Sequence, residues 1–148
     1  MIKLLSPTQL AYIAGFLDGD GSIYVRAKPN PTYRYGFQIA PYIVFFQSSK
    51  SKKDFAKITK LIGVGYTRER KDGILEYTIN RIEYSKEFLE AIYPFVILKR
   101  KQTALMLRII AQKNLVKKES DFKFLLELVD SYRELNYSKR RIHRTLTP

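Results

Sequence analysis

The sequence predicts an α+β domain in the order αββαββα, with a four-stranded antiparallel sheet packed on helices. Three observations predict it. A capped helix of small residues opens the chain. A strand of alternating apolar and basic residues follows directly. A second pair of strands folds around Lys71-Asp72-Gly73. At 148 residues the chain reads as one domain, 1–148, ending in a basic tail over about 136–148.

The first helix opens at Ser6-Pro7-Thr8-Gln9. Ser6 is the N-cap, Pro7 takes the first helical position and Gln9 closes a capping box. The helix runs to about Asp18. Ala11, Ala14 and Gly15 stand three and four apart, so they share a face that a second helix could approach closely. Gly19 and Gly21 permit backbone angles that other residues resist.

From Gly21 onward, Ile23, Val25 and Ala27 alternate with Tyr24, Arg26 and Lys28. Period two puts the apolar set on one face and the polar set on the other. Pro29-Asn30-Pro31-Thr32 breaks the run into a turn or extended tip. A second strand spans about Tyr35 to Gln47, and Pro41 within it points to an edge position or a bulge. Its outward set is Gln38, Ala40, Tyr42, Val44 and Phe46.

Ser48 to Lys53 is a polar loop. Asp54 to Ile62 is a short helix with Phe55, Ile58, Leu61 and Ile62 inward, ended by Gly63-Val64-Gly65. Tyr66 to Arg70 and Ile74 to Asn80 form the hairpin. Tyr66, Arg68 and Arg70 share a face with Glu76, Thr78 and Asn80, while Tyr77 and Ile79 point to the core. Tyr84 to Ile92 is a helix closed by Pro94. Lys101 to Asn114 and Asp121 to Leu135 are helices with apolar stripes, the first through Ala104, Leu105, Leu107, Ile109 and Ile110. The segment Ala14-Gly15-Phe16-Leu17-Asp18-Gly19-Asp20-Gly21 occurs once, so the chain has no internal copy of it.

Hydrophobic residues make up 45%, which excludes a disordered chain. No apolar run reaches membrane length, and no signal peptide is read at the N-terminus. There is no cysteine and a single histidine, His143, so thiolate zinc sites, disulfides and His-based triads are implausible. A catalytic metal would have to be held by carboxylates.

The formal charge is +13, which calls for a polyanionic partner or an anionic membrane surface. No amphipathic helix pairs a basic face with a Trp-rich apolar one, so a membrane partner is not expected. Between Gly21 and Lys53, and again between Val96 and Lys118, every charged residue is basic. Asp20, just past the C-terminus of the first helix, meets backbone carbonyls and the negative end of the helix dipole. Carboxylate and carbonyl oxygens suit a hard ion such as Mg²⁺. The bland reading is a solvated Gly-rich turn. The small-residue helix and the basic strand on either side of it favour the metal.

The segment Ile13 to Gly21 resembles the signature of the LAGLIDADG homing endonucleases, and the likeness runs from about Gln9 to Leu135. It is nearest to the small single-motif members, which work as homodimers. Lys28-Pro29-Asn30, Gly63-Val64-Gly65-Tyr66, Arg68 and Arg70, Pro94-Phe95 and Lys99-Arg100-Lys101-Gln102 also resemble segments of that subfamily.

The resemblance implies a site-specific, divalent-metal-dependent cut in both strands of a long pseudo-palindromic DNA site, across the minor groove. Asp20 matches the metal-ligating acid and Gly19 the residue lending a backbone carbonyl. Gln47 matches a polar residue near the attacking water, and Lys99 a basic residue over the scissile phosphates. Ser51 stands where a third basic partner is expected, leaving Lys50 or Lys52 for that role.

The expected dimer interface is Ala11, Ala14, Gly15 and Asp18. The expected DNA contacts are Tyr24, Arg26, Lys28, Asn30, Thr32, Tyr33, Gln38, Tyr66, Arg68, Arg70, Glu76 and Thr78. A β-ribbon fits the major groove. From Gly21 to Asn30 it spans roughly 30 Å, on the order of nine base pairs per arm.

Mg²⁺ is the implied cofactor, with Mn²⁺ able to substitute and Ca²⁺ supporting binding without efficient cleavage. The implied setting is intracellular and DNA-associated, in an archaeal cytoplasm or an organelle, and not secreted. The competing readings are an RNA-binding intron maturase, a non-cleaving DNA-binding protein on the same fold, and a basic ribosome-associated protein. Asp20, Gln47 and Lys99 favour the enzyme, because a pure binder has no need of them. RNA ranks second as a partner.

Overall fold

A computed structural model describes residues 2–136. The order is α1 (Pro7–Asp20), β1 (Gly21–Pro29), β2 (Phe37–Ser48), α2 (Lys52–Ile62), β3 (Tyr66–Glu69), β4 (Ile74–Ile79), α3 (Ile82–Ile92), α4 (Arg100–Asn114) and α5 (Glu119–Glu134). The expected αββαββα order is present, and α4 and α5 complete the helical layer. Among the described residues no helix is long and apolar enough to cross a membrane.

The capping box forms as the sequence requires. The Gln9 N–H donates to Ser6 Oγ at 3.2 Å and the Ser6 N–H donates to Gln9 Oε1 at 2.9 Å. The helix continues to Asp20 rather than stopping near Asp18, so Asp20 is its last residue and does not lie beyond it. Neither Gly19 nor Gly21 adopts a positive φ, which corrects the expectation for both. Gly21 is needed for space instead. A Cβ there would collide with Leu17 Cδ1 and lie 2.8 Å from the Leu17 carbonyl.

The sheet is antiparallel with strand order β1-β2-β4-β3. β1 pairs with β2 without interruption from Gly21↔Phe45 to Pro29↔Phe37, so no bulge interrupts that ladder. β4 covers only Ile43 to Ser48 of β2. Pro41 therefore lies in the half of β2 that has a single neighbour, where a missing N–H costs no ladder bond.

Alternation sorts the two faces. Ile23, Val25, Ile39, Ile43, Phe45, Leu75, Tyr77 and Ile79 are buried against the helices. Ile13, Ala14 and Leu17 of α1, Phe88 and Leu89 of α3, Met106 and Ile109 of α4, and Val129 and Tyr132 of α5 complete that core. Phe45 meets Phe88 edge-on, with ring centroids 5.9 Å apart. The Tyr132 hydroxyl donates to the Ile23 carbonyl at 2.8 Å, tying the last helix to the first strand.

Three expectations about packing are corrected. Val44 (3% exposed) and Ala40 are buried, although both belong to the outward set of β2. The large side chains beside them on that face cover these smaller ones. On α4, Ala104 is exposed and Met106 occupies the core position, because the buried stripe is set by Thr103, Met106, Ile109 and Ile110. The helices α2, α3, α4 and α5 each begin one or two residues before their expected starts.

Candidate active site and nucleic-acid interface

Three chain segments converge at the C-terminal end of α1. Asp18 turns its carboxylate toward the loop that precedes α4. Its Oδ2 accepts the N–H groups of Ile97 at 2.7 Å and Leu98 at 3.2 Å, and its Oδ1 accepts the N–H of Lys99 at 3.0 Å. The Lys99 ammonium donates to the Asp18 carbonyl at 3.0 Å. Lys99 is thereby fixed beside the helix terminus with two ammonium protons left to donate. The carboxylate of Asp18 is engaged within its own chain, with three backbone N–H groups of the loop before α4. The negatively polarised loop cap it provides is a structural role.

Asp20, two residues on, is exposed and has no hydrogen-bond or ionic partner among the described residues. The last turn of a helix leaves carbonyls without intrahelical partners, and that of Gly19 is among them. Gln47 comes to the same end of the sheet, because Gly21 pairs directly with Phe45. Alternation puts Gln47 on the same side as Phe45, facing the helical layer. Its Oε1 accepts the Ser48 N–H at 2.9 Å, which leaves its amide protons to donate. Lys50 and Lys52 are both exposed beyond it.

The donor set fits a hard cation with oxygen ligands, but only in part. Among the described residues there is no cluster of three or more acidic or histidine side chains. Asp20 and the Gly19 carbonyl offer one carboxylate and one carbonyl oxygen per chain.

The face of α1 that carries no core residue is Ala11, Tyr12 and Gly15, all exposed. Nothing lies within 4 Å of the position a Gly15 Cβ would take. Ala14 is fully buried, which corrects its assignment to the interface. At 100° per residue it falls in line with Ile13 and Leu17. Ile97 (80% exposed) and Leu98 (69% exposed) flank this surface on the loop that Asp18 holds. A helix apolar on all sides with half of it exposed marks an interaction surface.

The polar face of the sheet holds a second arrangement. Tyr24 and Tyr42 sit opposite each other and stack, with centroids 4.9 Å apart and planes 15° from parallel. The Arg26 guanidinium lies 5.5 Å from the Tyr24 ring and 5.8 Å from that of Tyr42. Lys28 Nζ lies 5.0 Å from Tyr42. Burial pushes the Tyr24 phenol up, opposed by the Arg26 charge.

Across the sheet, Glu76 accepts from Arg68 at 2.8 Å and from Arg70 at 3.4 Å. Arg70 also reaches Asp72 at 2.6 Å. Thr78 shares this face but is 8% exposed, so little of it is open to a ligand. Gln38 lies on this face opposite Lys28.

At the tip, Asn30 Oδ1 accepts both the N–H and the hydroxyl of Thr32, at 3.1 and 2.7 Å. Gly36 takes the positive φ that this turn needs. Tyr33 is exposed. Sequence reasoning missed Arg34 and Tyr35, which fold the tip back onto the helices. Arg34 donates to the Lys117 carbonyl at 3.4 Å, and Tyr35 stacks on Phe122 at 5.0 Å. Lys139, Arg140, Arg141 and His143 lie outside the described residues.

The family model for the LAGLIDADG endonucleases matches residues 13–103, well over half of the chain. The chain belongs to the LAGLIDADG endonuclease family. It is 39% identical over 134 residues to the DNA endonuclease I-CreI of Chlamydomonas reinhardtii, an alignment spanning 89% of this chain and 81% of that one. It also resembles a solved structure of the homing endonuclease I-CvuI with the I-CreI target and Mg, in which the DNA is not cleaved. The TM-score is 0.84 at 30% identity, covering 91% of this chain and 86% of that one. A structure of I-CvuI with its own target and Ca matches equally well, with TM-score 0.84, 29% identity, and 92% and 87% covered. I-CvuI is from Chlorella vulgaris. These hosts give no support to an archaeal setting.

Membership explains the architecture. The α1 signature ends in Asp18 and Asp20, and the sheet that follows has the fold of the DNA-bound relatives.

Proposed function

We propose that this chain is a homing endonuclease. As a homodimer it hydrolyses both strands of a long pseudo-palindromic duplex DNA site, acting inside the cell with a divalent metal. The carrying observation is Asp20, exposed and without a side-chain partner among the described residues, at the end of a helix whose Ala11, Tyr12 and Gly15 face is open. Two copies packed on that face bring two Asp20 carboxylates together. Their repulsion favours a bound cation.

Asp20 and the Gly19 carbonyl would hold Mg²⁺, which supplies charge relief at the phosphate and a more acidic water. Mn²⁺ would serve in its place. Ca²⁺, larger and looser in geometry, would support binding with poor turnover.

The remaining work falls to the chain's own residues. Lys99 directs its free ammonium protons at the phosphate and offsets the negative charge that builds there. Gln47 orients the attacking water through its amide. The water adds to phosphorus, the P–O bond to the leaving oxygen breaks, and a proton passes to that oxygen. Lys50 or Lys52 completes the basic set. Arg26, Lys28, Arg68 and Arg70 on the sheet read bases in the major groove. Arginine and lysine pair best with guanine O6 and N7.

The test is incubation of the purified protein with a randomised duplex library, with and without Mg²⁺, followed by sequencing of the cut ends. Metal-dependent ends within one symmetric sequence support the reading. Binding without cutting in Mg²⁺ or Mn²⁺ points to a non-cleaving member.

A further inference from the structure

α2 presents two opposite faces. Phe55, Ile58, Leu61 and Ile62 turn inward. Lys53, Ala56, Lys57 and Lys60 recur at helical spacing on the other side and are exposed. These four do not face open solvent alone. They form one wall of a groove of about 510 Å³, whose other wall is Gly63, Gly65, Tyr66 and Thr67 at the start of β3.

β3 is the outer strand of the sheet. It pairs with β4 only, so its far edge has no strand neighbour. That edge carries backbone N–H groups pointing away from β4. The turn leading into it has no side chain at Gly63 or Gly65. Gly63 takes a positive φ, and a Cβ on Gly65 would lie 2.6 Å from the Thr78 carbonyl. Tyr66, 51% exposed, stands at the junction of the groove and the polar face of the sheet. The only acid on α2 is Asp54, which pairs with Lys57 at 3.2 Å while both remain exposed. Such a pair is worth little and opens readily.

We propose that the groove between α2 and β3 is a second nucleic-acid site. It takes the sugar-phosphate backbone of duplex DNA flanking the stretch read by the sheet. A ribbon laid in the major groove has its outer edges beside the two phosphate backbones, and β3 is such an edge. Three lysines and an open strand edge recognise phosphate by charge and by N–H donation. The groove lies beyond the outer edge of the sheet rather than on its reading face, so it positions the protein without specifying sequence. The inference rests on the sheet being the DNA-reading surface.

The test is the salt dependence of binding to a duplex carrying the preferred site, measured for the wild-type protein and for Lys53→Ala/Lys57→Ala/Lys60→Ala. For every phosphate that a lysine no longer neutralises, the log–log slope should become shallower by roughly 0.9, hence by about two to three units per protomer. The preferred sequence and the cut positions should not change. Lys53→Arg/Lys57→Arg/Lys60→Arg should restore the slope. Lys86→Ala/Lys117→Ala/Lys123→Ala, removing the same number of exposed charges elsewhere, controls for net charge. A triple variant whose slope equals that of the control overturns the proposal. So does a shallower slope found with duplex RNA but not with DNA. A wild-type protein with no salt-dependent affinity for duplex DNA would instead sink the reading of the sheet itself.

Discussion

Asp18 holds Lys99 at two points. Its carboxylate accepts the Lys99 N–H at 3.0 Å, and its carbonyl accepts the Lys99 ammonium at the same distance. The same carboxylate fixes Ile97 and Leu98, the two exposed apolar residues beside the open face of α1. The Lys99 backbone and the apolar loop are thus set by one side chain, and the Lys99 ammonium by the carbonyl of the same residue.

Asp18→Ala leaves three backbone N–H groups without their acceptor. It should cost about 1–3 kcal/mol of stability and reduce cleavage by more than the drop in folded protein accounts for. Asp18→Asn, which keeps one carbonyl oxygen, should be milder in both respects. Thermal denaturation and single-turnover cleavage at a temperature where each variant is folded separate the two effects. Equal cleavage per folded molecule in all three would show that Lys99 does not depend on Asp18.

Gly15→Leu should leave the isolated fold intact, because nothing lies within 4 Å of the added Cβ. It should still disrupt a dimer packed through α1. Sedimentation at micromolar concentration decides it. The variant should sediment as a monomer with near-normal helix content, and the wild type as a dimer. A monomeric wild type, even with DNA, contradicts the dimer.

Arg68→Ala or Arg70→Ala should relax base preference at one position in each half-site, by roughly 1–3 kcal/mol. Both guanidiniums are shared with Glu76 in the free protein, so Glu76→Gln should raise affinity for all sequences while blurring the same positions. Site selection at fixed salt measures this. A uniform fall in affinity with unchanged preference would place both arginines on the backbone instead.

The fold should have an alkaline limit set by its buried phenols. Burial pushes Tyr77 up to about 12, against the pull of its hydrogen bond with the Val64 backbone, and pushes Tyr132 up as well. In the unfolded chain a phenol ionises near 10. The neutral phenols therefore contribute stability that is fully present below about pH 10 and is lost as pH rises through about 12. Denaturant midpoints between pH 9 and 12 should fall, and Tyr77→Phe should flatten the fall. A flat wild-type profile contradicts the assignment.

Much of the fold is legible from local chemistry. Ser6, Pro7 and Gln9 announce the start of α1 because their partners are three residues apart. Ile23, Val25 and Ala27 declare the buried face of β1 because strand alternation is rigid. The starts of α2, α3 and α4 are less legible for a common reason. Ser51, Arg81 and Lys99 stand at their N-caps without a side-chain cap bond, so no capping residue marks them.

The rest depends on partners distant in sequence. Asp18 finds its own about eighty residues away. Whether Ala14 or Gly15 faces outward turns on where the sheet sits against α1, and neighbouring small residues carry no signal for it. Val44 and Thr78 obey strand alternation, yet they are covered by neighbours on their own face. The Tyr24–Tyr42 stack follows from a register that the sequence of either strand alone does not fix.

The proposed function stands or falls on Asp20 cutting DNA rather than merely helping to bind it. Cleavage and affinity should be followed together, on one duplex carrying the preferred site, for wild type and Asp20→Asn with Mg²⁺ and with Ca²⁺. We expect cutting by the wild type in Mg²⁺ only, no detectable cutting by Asp20→Asn, and affinities in Ca²⁺ that agree within a few-fold. Cleavage by Asp20→Asn at the wild-type rate, or wild-type cleavage indifferent to the metal, would refute the assignment.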